Sequence, residues 1–137
     1  MRIAWAIPCV RVRMRAPGLL DLFGAGVDSV VVDGLPKDIQ FDVAIRLVGA
    51  VQDFETAHTV EVVLSDPQLV EVGRLDIPVD PRKPPATHIP GYELNHAVGA
   101  RIDFEADVAG GYDLSFAVDG KAEHRAKATI SVVVGGP

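Results

Sequence analysis

Residues 92–106 have the sequence YELNHAVGARIDFEA, in which apolar and polar side chains alternate. A β-strand points successive side chains to opposite faces of its sheet, so this alternation predicts a strand with one face buried. The core-facing set is Tyr92, Leu94, His96, Val98, Ala100, Ile102 and Phe104, and the opposite set includes Glu93, Asn95, Arg101, Asp103 and Glu105.

Two further segments, residues 112–118 and 122–134, repeat this alternation and flank an Asp119-Gly120 turn. Asp-Gly is typical of tight hairpin turns, so the two segments are predicted to pair as antiparallel strands. A loop of only two residues would set core residues opposite charged ones. A three-residue or bulged loop instead pairs Phe116 with His124 and keeps one apolar face, so we predict that loop.

The N-terminal half contains shorter alternating segments, of which residues 39–47 are the clearest. Proline removes a backbone donor, so a strand over residues 3–14 is predicted to bend or to change sheet at Pro8. A change of parity at Gly73 predicts a bulge there. Residues 49–57 have room for a single helical turn.

Residues 80–91 carry four prolines and are predicted to form a long irregular connection. The chain of 137 residues contains 13 glycines and 10 prolines, a composition that favours many turns between short strands. We therefore predict one all-β domain over residues 1–137, an antiparallel two-sheet β-sandwich of about eight or nine strands. A closed β-barrel is the alternative architecture.

The net charge of −6 and the pI near 5.0 argue against a nucleic-acid partner, because phosphate binding depends on clustered Lys and Arg. No apolar run approaches the length of a membrane span, and residues 3–7 are too short for the core of a signal peptide. The single cysteine, Cys9, excludes an internal disulfide. We predict a protein without membrane or nucleic-acid partners, resident in the cytoplasm or in a virion.

Residues 107–114, with the sequence DVAGGYDL, resemble the corner of immunoglobulin-like sandwiches in which a tyrosine opens the penultimate strand. Tyr112 occupies that position here, and the resemblance implies that its hydroxyl bonds to nearby backbone. One extra residue separates Asp107 from Tyr112, and Leu114 stands where a disulfide-forming cysteine is usual. The resemblance implies an Ig-like sandwich without the disulfide.

Most of the chain also resembles a family of small bacterial proteins found largely in actinobacteria. The matching pieces are AWAIPC at residues 4–9, GAGVD at residues 24–28, and HTVEV at residues 58–62 before an Asp-Pro turn. This family has no assigned activity or catalytic residues, so the resemblance implies a fold and no chemistry.

Three arginines, Arg11, Arg13 and Arg15, share one parity of the first predicted strand. Guanidinium groups in such a stripe could bind the carboxylates of a partner. They could equally be a charged outer face that discourages pairing between sheet edges. The stripe is therefore a candidate partner-binding surface.

The proline-rich connection contains a second candidate surface, formed by Arg82, Lys83, Pro84 and Pro85. A polyproline segment is already extended, so an aromatic groove on a partner could recognise it. It could also be a stiff crossover between the two sheets. Long connections in compact domains are uncommon and often functional.

The acidic and histidine side chains do not form a recognisable metal motif. Carboxylates on alternate positions of a strand diverge, whereas Ca²⁺ requires about six to eight oxygen ligands. None of the histidines has the paired spacing of a zinc site. We predict no metal, no cofactor and no catalytic residue. The acidic candidates are Asp103, Glu105, Asp107 and Asp113, and the histidines are His58, His88, His96 and His124.

These patterns predict a non-enzymatic protein-interaction or structural module that self-associates or binds a protein partner. One alternative is a decoration protein or minor structural protein of a bacteriophage virion. The other is a small-ligand-binding or catalytic sandwich with a pocket beneath residues 80–91. In that case Asp76, His88, Tyr92 and His96 are predicted to converge on the pocket.

Overall fold

The structure is a computed structural model that describes residues 1–121 and 125–135. Within these residues the chain forms nine strands and one short 3-10 helix, and no helix there is long and apolar enough to cross a membrane. The strands are β1 (Arg2–Ala16), β2 (Leu19–Ala25), β3 (Ser29–Val32), β4 (Lys37–Gly49), β5 (His58–Ser65), β6 (Glu71–Val79), β7 (Leu94–Ala106), β8 (Gly110–Val118) and β9 (Arg125–Val134), and the helix covers Val51–Phe54.

The strands form two packed sheets, which confirms the predicted all-β sandwich. The first sheet has the order β2-β1-β4-β7 and the second has the order β3-β9-β8-β5-β6. All pairs between described strands are antiparallel except β3 with β9, which are parallel and place Ser29 opposite Ser131. The fully antiparallel prediction was wrong at this pair, because residues 26–28 cross from one sheet to the other and do not form a hairpin.

The core lies between the sheets and takes side chains from strands of both, including β4 and β7, the two strands with the clearest alternation. On β4 the side chains of Val43, Ile45 and Leu47 are fully buried, as the alternation predicts. Rings from the two sheets also meet there, with the centroids of Phe104 and Tyr112 5.1 Å apart. Burial of each large apolar side chain contributes about 1.5–3 kcal/mol, so this layer dominates stability.

β1 changes partner next to Pro8 but stays in the first sheet, so the predicted change of sheet does not occur. It pairs with β4 up to Cys9 and with β2 from Cys9 onward. An unexpected bulge lies between Ile3 and Trp5, because Ile3 is opposite Leu47 whereas Trp5 is opposite Arg46. The extra residue turns Trp5 to the opposite face from Ile3, although residues two apart in a regular strand share one face.

Two other local predictions are confirmed. In β6, Gly73 pairs with Leu64 and Glu71 pairs with Ser65, so one extra residue bulges next to Gly73. The helical turn expected within residues 49–57 is the 3-10 helix, which buries Phe54.

The predicted register of the last hairpin was wrong by two residues. Phe116 pairs with Ala126 and not with His124, which lies outside the described residues. The turn does form, since Lys121 N donates to Val118 O at 3.0 Å. However, Asp119 N donates to Thr59 O on β5, which holds the turn against β5. The shift is even, so Phe116 keeps its buried face.

The second half of β1 and the whole of β2 form a two-stranded ribbon, residues 9–25, that folds over the outer face of the first sheet. β2 and β7 are at opposite ends of the strand order and yet contact each other. The ribbon is attached at two points. Val12 N donates to Asp42 Oδ2 at 2.7 Å, and Ala97 N donates to Gly18 O at 3.0 Å. The first sheet therefore curls around a second, smaller interior.

Candidate functional site

The space beneath the ribbon is an open cavity of about 790 Å³. This volume lies within the range of roughly 300–1,000 Å³ that is usual for small-molecule sites. The ribbon forms one wall, β7 forms another, and the segment from β6 into the proline-rich connection forms the third. The lining residues used below are Val12, Leu20, Ile77, Arg82, His96 and Gly99.

Small side chains on the outer face of β7 create this cavity. Ala97 and Gly99 occupy positions where the rest of that face is polar. A Cβ atom at Gly99 would lie 2.8 Å from Cγ1 of Val12 and 3.6 Å from Cδ1 of Leu20. The close approach of the ribbon to β7 therefore requires glycine at this position. The interruption of the polar parity at residues 97 and 99 was the sequence signal for this site, and the sequence prediction did not use it.

Arg82 is fixed at the wall of the cavity. Its Nη1 donates to the backbone O of Asn95 at 2.8 Å and lies 3.2 Å from Nδ1 of His96. Its backbone N donates to Phe54 O at 2.8 Å. Nε and Nη2 have no hydrogen-bond partner among the described residues. The guanidinium is thus held in place while two of its nitrogens remain available.

His96 is held as a neutral imidazole. Burial, and then the charge of Arg82, lowers the pKa of His96 below its ordinary value. Nδ1 faces the Arg82 donor, so the proton belongs on Nε2. The ring packs near Phe54, with centroids 6.2 Å apart. Gly18 covers the pair, since a Cβ there would meet the His96 ring and approach Arg82 Nη1 to 2.9 Å.

Asp42 is the buried acid of the site, with only 6% of its surface exposed. Oδ2 accepts from Val12 N, and Oδ1 accepts from Arg101 Nε at 3.2 Å. The carboxylate is therefore compensated by Arg101. Burial, and then the charge of Asp42, raises the pKa of the neighbouring Cys9 thiol, which is completely buried. Cys9 is protonated at neutral pH and lacks the features of a nucleophile.

The four residues of the pocket hypothesis do not converge. His96 lines the cavity beneath the ribbon, whereas His88 and Tyr92 line a separate space of about 350 Å³. Asp76 is exposed on β6 opposite Glu61. Arg82 is the residue that both spaces share.

The predicted arginine stripe lies on the solvent face of the ribbon. Arg15 forms a bidentate pair with Asp21, with distances of 2.6 and 3.2 Å. Arg11 and Arg13 are exposed and have no ion-pair partner among the described residues. Phe23 lies directly across from Arg11 and is 50% exposed.

The proline-rich connection is divided by the fold. Arg82 faces the cavity and contacts the ribbon turn, as described above. Lys83, Pro84 and Pro85 are exposed, and Pro85 borders the smaller space. The four residues therefore do not form one surface.

The acidic candidates are spread over both sheets. Asp103 accepts a hydrogen bond from Gln40, and Asp113 on β8 accepts one from Thr129. A hydrogen bond with Asp107, and then the charge of Asp107, raises the pKa of Glu105, and Asp38 adds to this effect. Over residues 1–121 and 125–135, no three His, Cys, Asp or Glu side chains are grouped to hold a metal ion.

His58 has a structural role between two elements. Its Nδ1 lies 2.7 Å from Asp119 Oδ2, and its Nε2 contacts the backbone O of Asp53. These contacts join the start of β5, the 3-10 helix and the turn after β8. His58 lines none of the cavities described above.

No protein-family model and no curated protein matches this sequence. The resemblance to an actinobacterial family therefore stays a prediction. The hydrogen bond implied by the immunoglobulin-like corner is present, because Tyr112 Oη donates to Val108 O at 2.7 Å.

Proposed function

We propose that this protein is a non-enzymatic interaction module whose binding surface is the solvent face of the ribbon. One observation carries the proposal. Arg11 and Arg13 are exposed on this face and have no ion-pair partner among the described residues. The exposed Phe23 lies beside them, directly across from Arg11. The chain has a net charge of −6, so this basic face is opposite in sign to the protein as a whole.

The composition of this face favours a protein partner. Arginine and aromatic side chains are enriched among residues that dominate binding energy at interfaces. Arg11 and Phe23 are cross-strand neighbours, so one contact could bury both. An acidic protein of this charge is a poor partner for nucleic acid.

The ribbon also offers an open sheet edge. Among the described strands β2 pairs only with β1, so one side of Leu19–Ala25 has unpaired backbone groups. Edge strands in monomeric proteins are usually protected by lysine, proline or a bulge. β2 contains neither lysine nor proline. Addition of a partner strand at this edge would extend the contact made by Arg11 and Arg13.

We propose a second copy of this chain as the partner. The end of the first sheet where β4 begins and β7 ends carries Asp38, Asp103 and Glu105, and Asp107 follows β7 directly. A hydrogen bond with Asp107, and then the like charge of Asp107, raises the pKa of Glu105, and a basic face would relieve that repulsion. Contact between the ribbon of one copy and this acidic end of another joins two different patches, so it builds rings or open chains.

The test is molar mass in solution by light scattering after size exclusion, over a range of protein and salt concentrations. We expect association that rises with concentration and weakens with salt, because exposed charges are screened. Arg11→Glu with Arg13→Glu should give a monomer. The matched control is Arg125→Glu with Lys127→Glu, which makes the same charge change at the same spacing on exposed β9 positions.

A charge swap gives the decisive comparison. Asp38→Lys with Glu105→Lys should also be monomeric alone. When it is mixed with the Arg11→Glu, Arg13→Glu variant, the unaltered ribbon of the first can bind the unaltered acidic end of the second, and the two reversed faces can also attract each other. Association should therefore return in the mixture although each variant alone is monomeric. A strictly monomeric wild type at all concentrations, or equal association of the ribbon variant and the control, contradicts the proposal.

A further inference from the structure

We propose that the cavity beneath the ribbon binds a small amphipathic carboxylate, with Arg82 as the side chain that holds its anionic group. This site is separate from the solvent face of the ribbon, so it stands or falls independently of the proposed association. Its walls, its charge and its size each restrict the class of ligand.

The apolar walls of the cavity favour a ligand with an apolar body. Val12 and Leu20 enter from the ribbon, Ile77 comes from β6, and the outer face of β7 contributes Ala97 and Gly99. None of these side chains has a polar atom that could bind a sugar or a nucleotide. Apolar surface transferred from water to such walls supplies most of the binding energy for a small ligand.

The charged side chains of the cavity favour a ligand with one anionic group. Asp42 is compensated by Arg101, as their hydrogen bond shows. Arg82 has used Nη1 on Asn95 and His96, which leaves Nε and Nη2, a pair of donors that matches the two oxygens of a carboxylate. Asp80 also lines the cavity but is exposed, so water screens its charge.

A monoanion fits this arrangement better than a phosphate. A dianion would require further cations, and the remaining polar side chain beside Arg82 is the neutral His96. Its protonated Nε2 can donate one hydrogen bond without adding charge. Arg82 and His96 are both fixed before a ligand arrives, which lowers the entropic cost of binding.

The experiment titrates the full chain at pH 7 with octanoate, octanol and acetate by isothermal calorimetry. Amide chemical shifts of residues 97–100 locate the site. Octanoate should bind saturably with one equivalent and shift those amides. Octanol lacks the charge and acetate lacks the apolar body, so each should bind at least about tenfold more weakly. Arg82→Gln should weaken octanoate roughly ten- to hundredfold, and Arg82→Lys should have a smaller effect.

Arg74→Gln on β6 is the matched control and should leave octanoate affinity unchanged. Circular dichroism checks that each variant is folded, because the Arg82 side chain also ties the connection to the backbone O of Asn95. Where Arg82→Gln fails to fold, the comparison of octanoate with octanol on the wild-type chain decides. Absent octanoate binding at millimolar concentration, equal binding of octanol, or full affinity in folded Arg82→Gln overturns the proposal.

Discussion

The carboxylate of Asp42 on β4 accepts a hydrogen bond of 2.7 Å from the backbone N of Val12 and thereby ties the ribbon to the first sheet. The other oxygen of Asp42 is bound to Arg101. A buried carboxylate that connects two elements is a point where a single substitution should release one from the other.

We expect Asp42→Ala to open the ribbon. Loss of hydrogen bonds to a charged, buried acceptor costs about 1.5–3 kcal/mol each and leaves Val12 N unsatisfied. Cys9 is the first residue of the ribbon, pairs with Asp42 and has 0% exposure, so its reaction with a thiol reagent under native conditions reports local opening. The labelling rate should rise well above that of the wild type. Asp103→Ala, an exposed control with one hydrogen bond, should not change it. Equal rates in the two variants would show that Asp42 does not hold the ribbon.

A second prediction concerns the ribbon turn at Gly18, which has φ of +76° and lies against His96 and Arg82. Gly18→Ala introduces both left-handed strain and a steric overlap. Strain alone costs roughly 1–2 kcal/mol, and the overlap adds about 1–3 kcal/mol. Gly26 has φ of +87°, and a Cβ atom added there would have no neighbour within 4 Å. Gly26→Ala therefore measures the backbone strain without a steric overlap. Urea denaturation should show a larger loss for Gly18→Ala. Similar losses in both variants would contradict the close packing at Gly18.

Alternation predicted the strands well because it reports the burial of one strand face, which is a local property. The buried positions Ile45 and Leu47 on β4 follow directly from it. The ribbon could not be predicted in this way. Its position depends on Val12 reaching Asp42 and on the fit of Leu20 over Gly99, contacts between residues far apart in sequence.

The hairpin register failed for a related reason. The predicted register was based on the apolar faces of β8 and β9 alone, whereas a third strand holds the turn between them. Asp119 N and Oδ1 both bond to the backbone of Thr59, 60 residues earlier in the chain. A turn anchored to β5 can tolerate a longer connection to β9, and no local pattern reveals such an anchor.

A third prediction concerns Tyr112, whose ring is 1% exposed and whose hydroxyl bonds to Val108 O. Tyr112→Phe keeps the ring in the core but leaves the Val108 carbonyl without this donor. The expected loss is about 0.5–1.5 kcal/mol in the free energy of unfolding. Tyr92→Phe is the control, because Tyr92 is 68% exposed and its hydroxyl has no partner among the described residues. Thermal unfolding should separate the two variants, and a Tyr112→Phe midpoint equal to that of the control would refute a stabilising role for the hydrogen bond.

The last prediction uses the pKa of Asp119. Burial alone would raise this pKa, but hydrogen bonds from His58 and Thr59 N outweigh burial and lower it below the ordinary 3.8. A carboxyl whose pKa is lower in the folded state stabilises the fold above its unfolded pKa, and this stabilisation is lost as the pH falls through the folded pKa. Asp119→Asn should therefore reduce stability at pH 7 and lose its effect in strong acid.

The magnitude for Asp119→Asn should be modest, about 1 kcal/mol at pH 7, because the side chain is 36% exposed and solvent screens the interaction with His58. Urea midpoints of the variant and the wild type should differ at pH 7 and converge near pH 2. Asp76→Asn supplies the baseline, since exposed Asp76 has no hydrogen-bond partner among the described residues. A difference between Asp119→Asn and wild type that persists unchanged at pH 2 would mean that the carboxylate charge is not the source of the stabilisation.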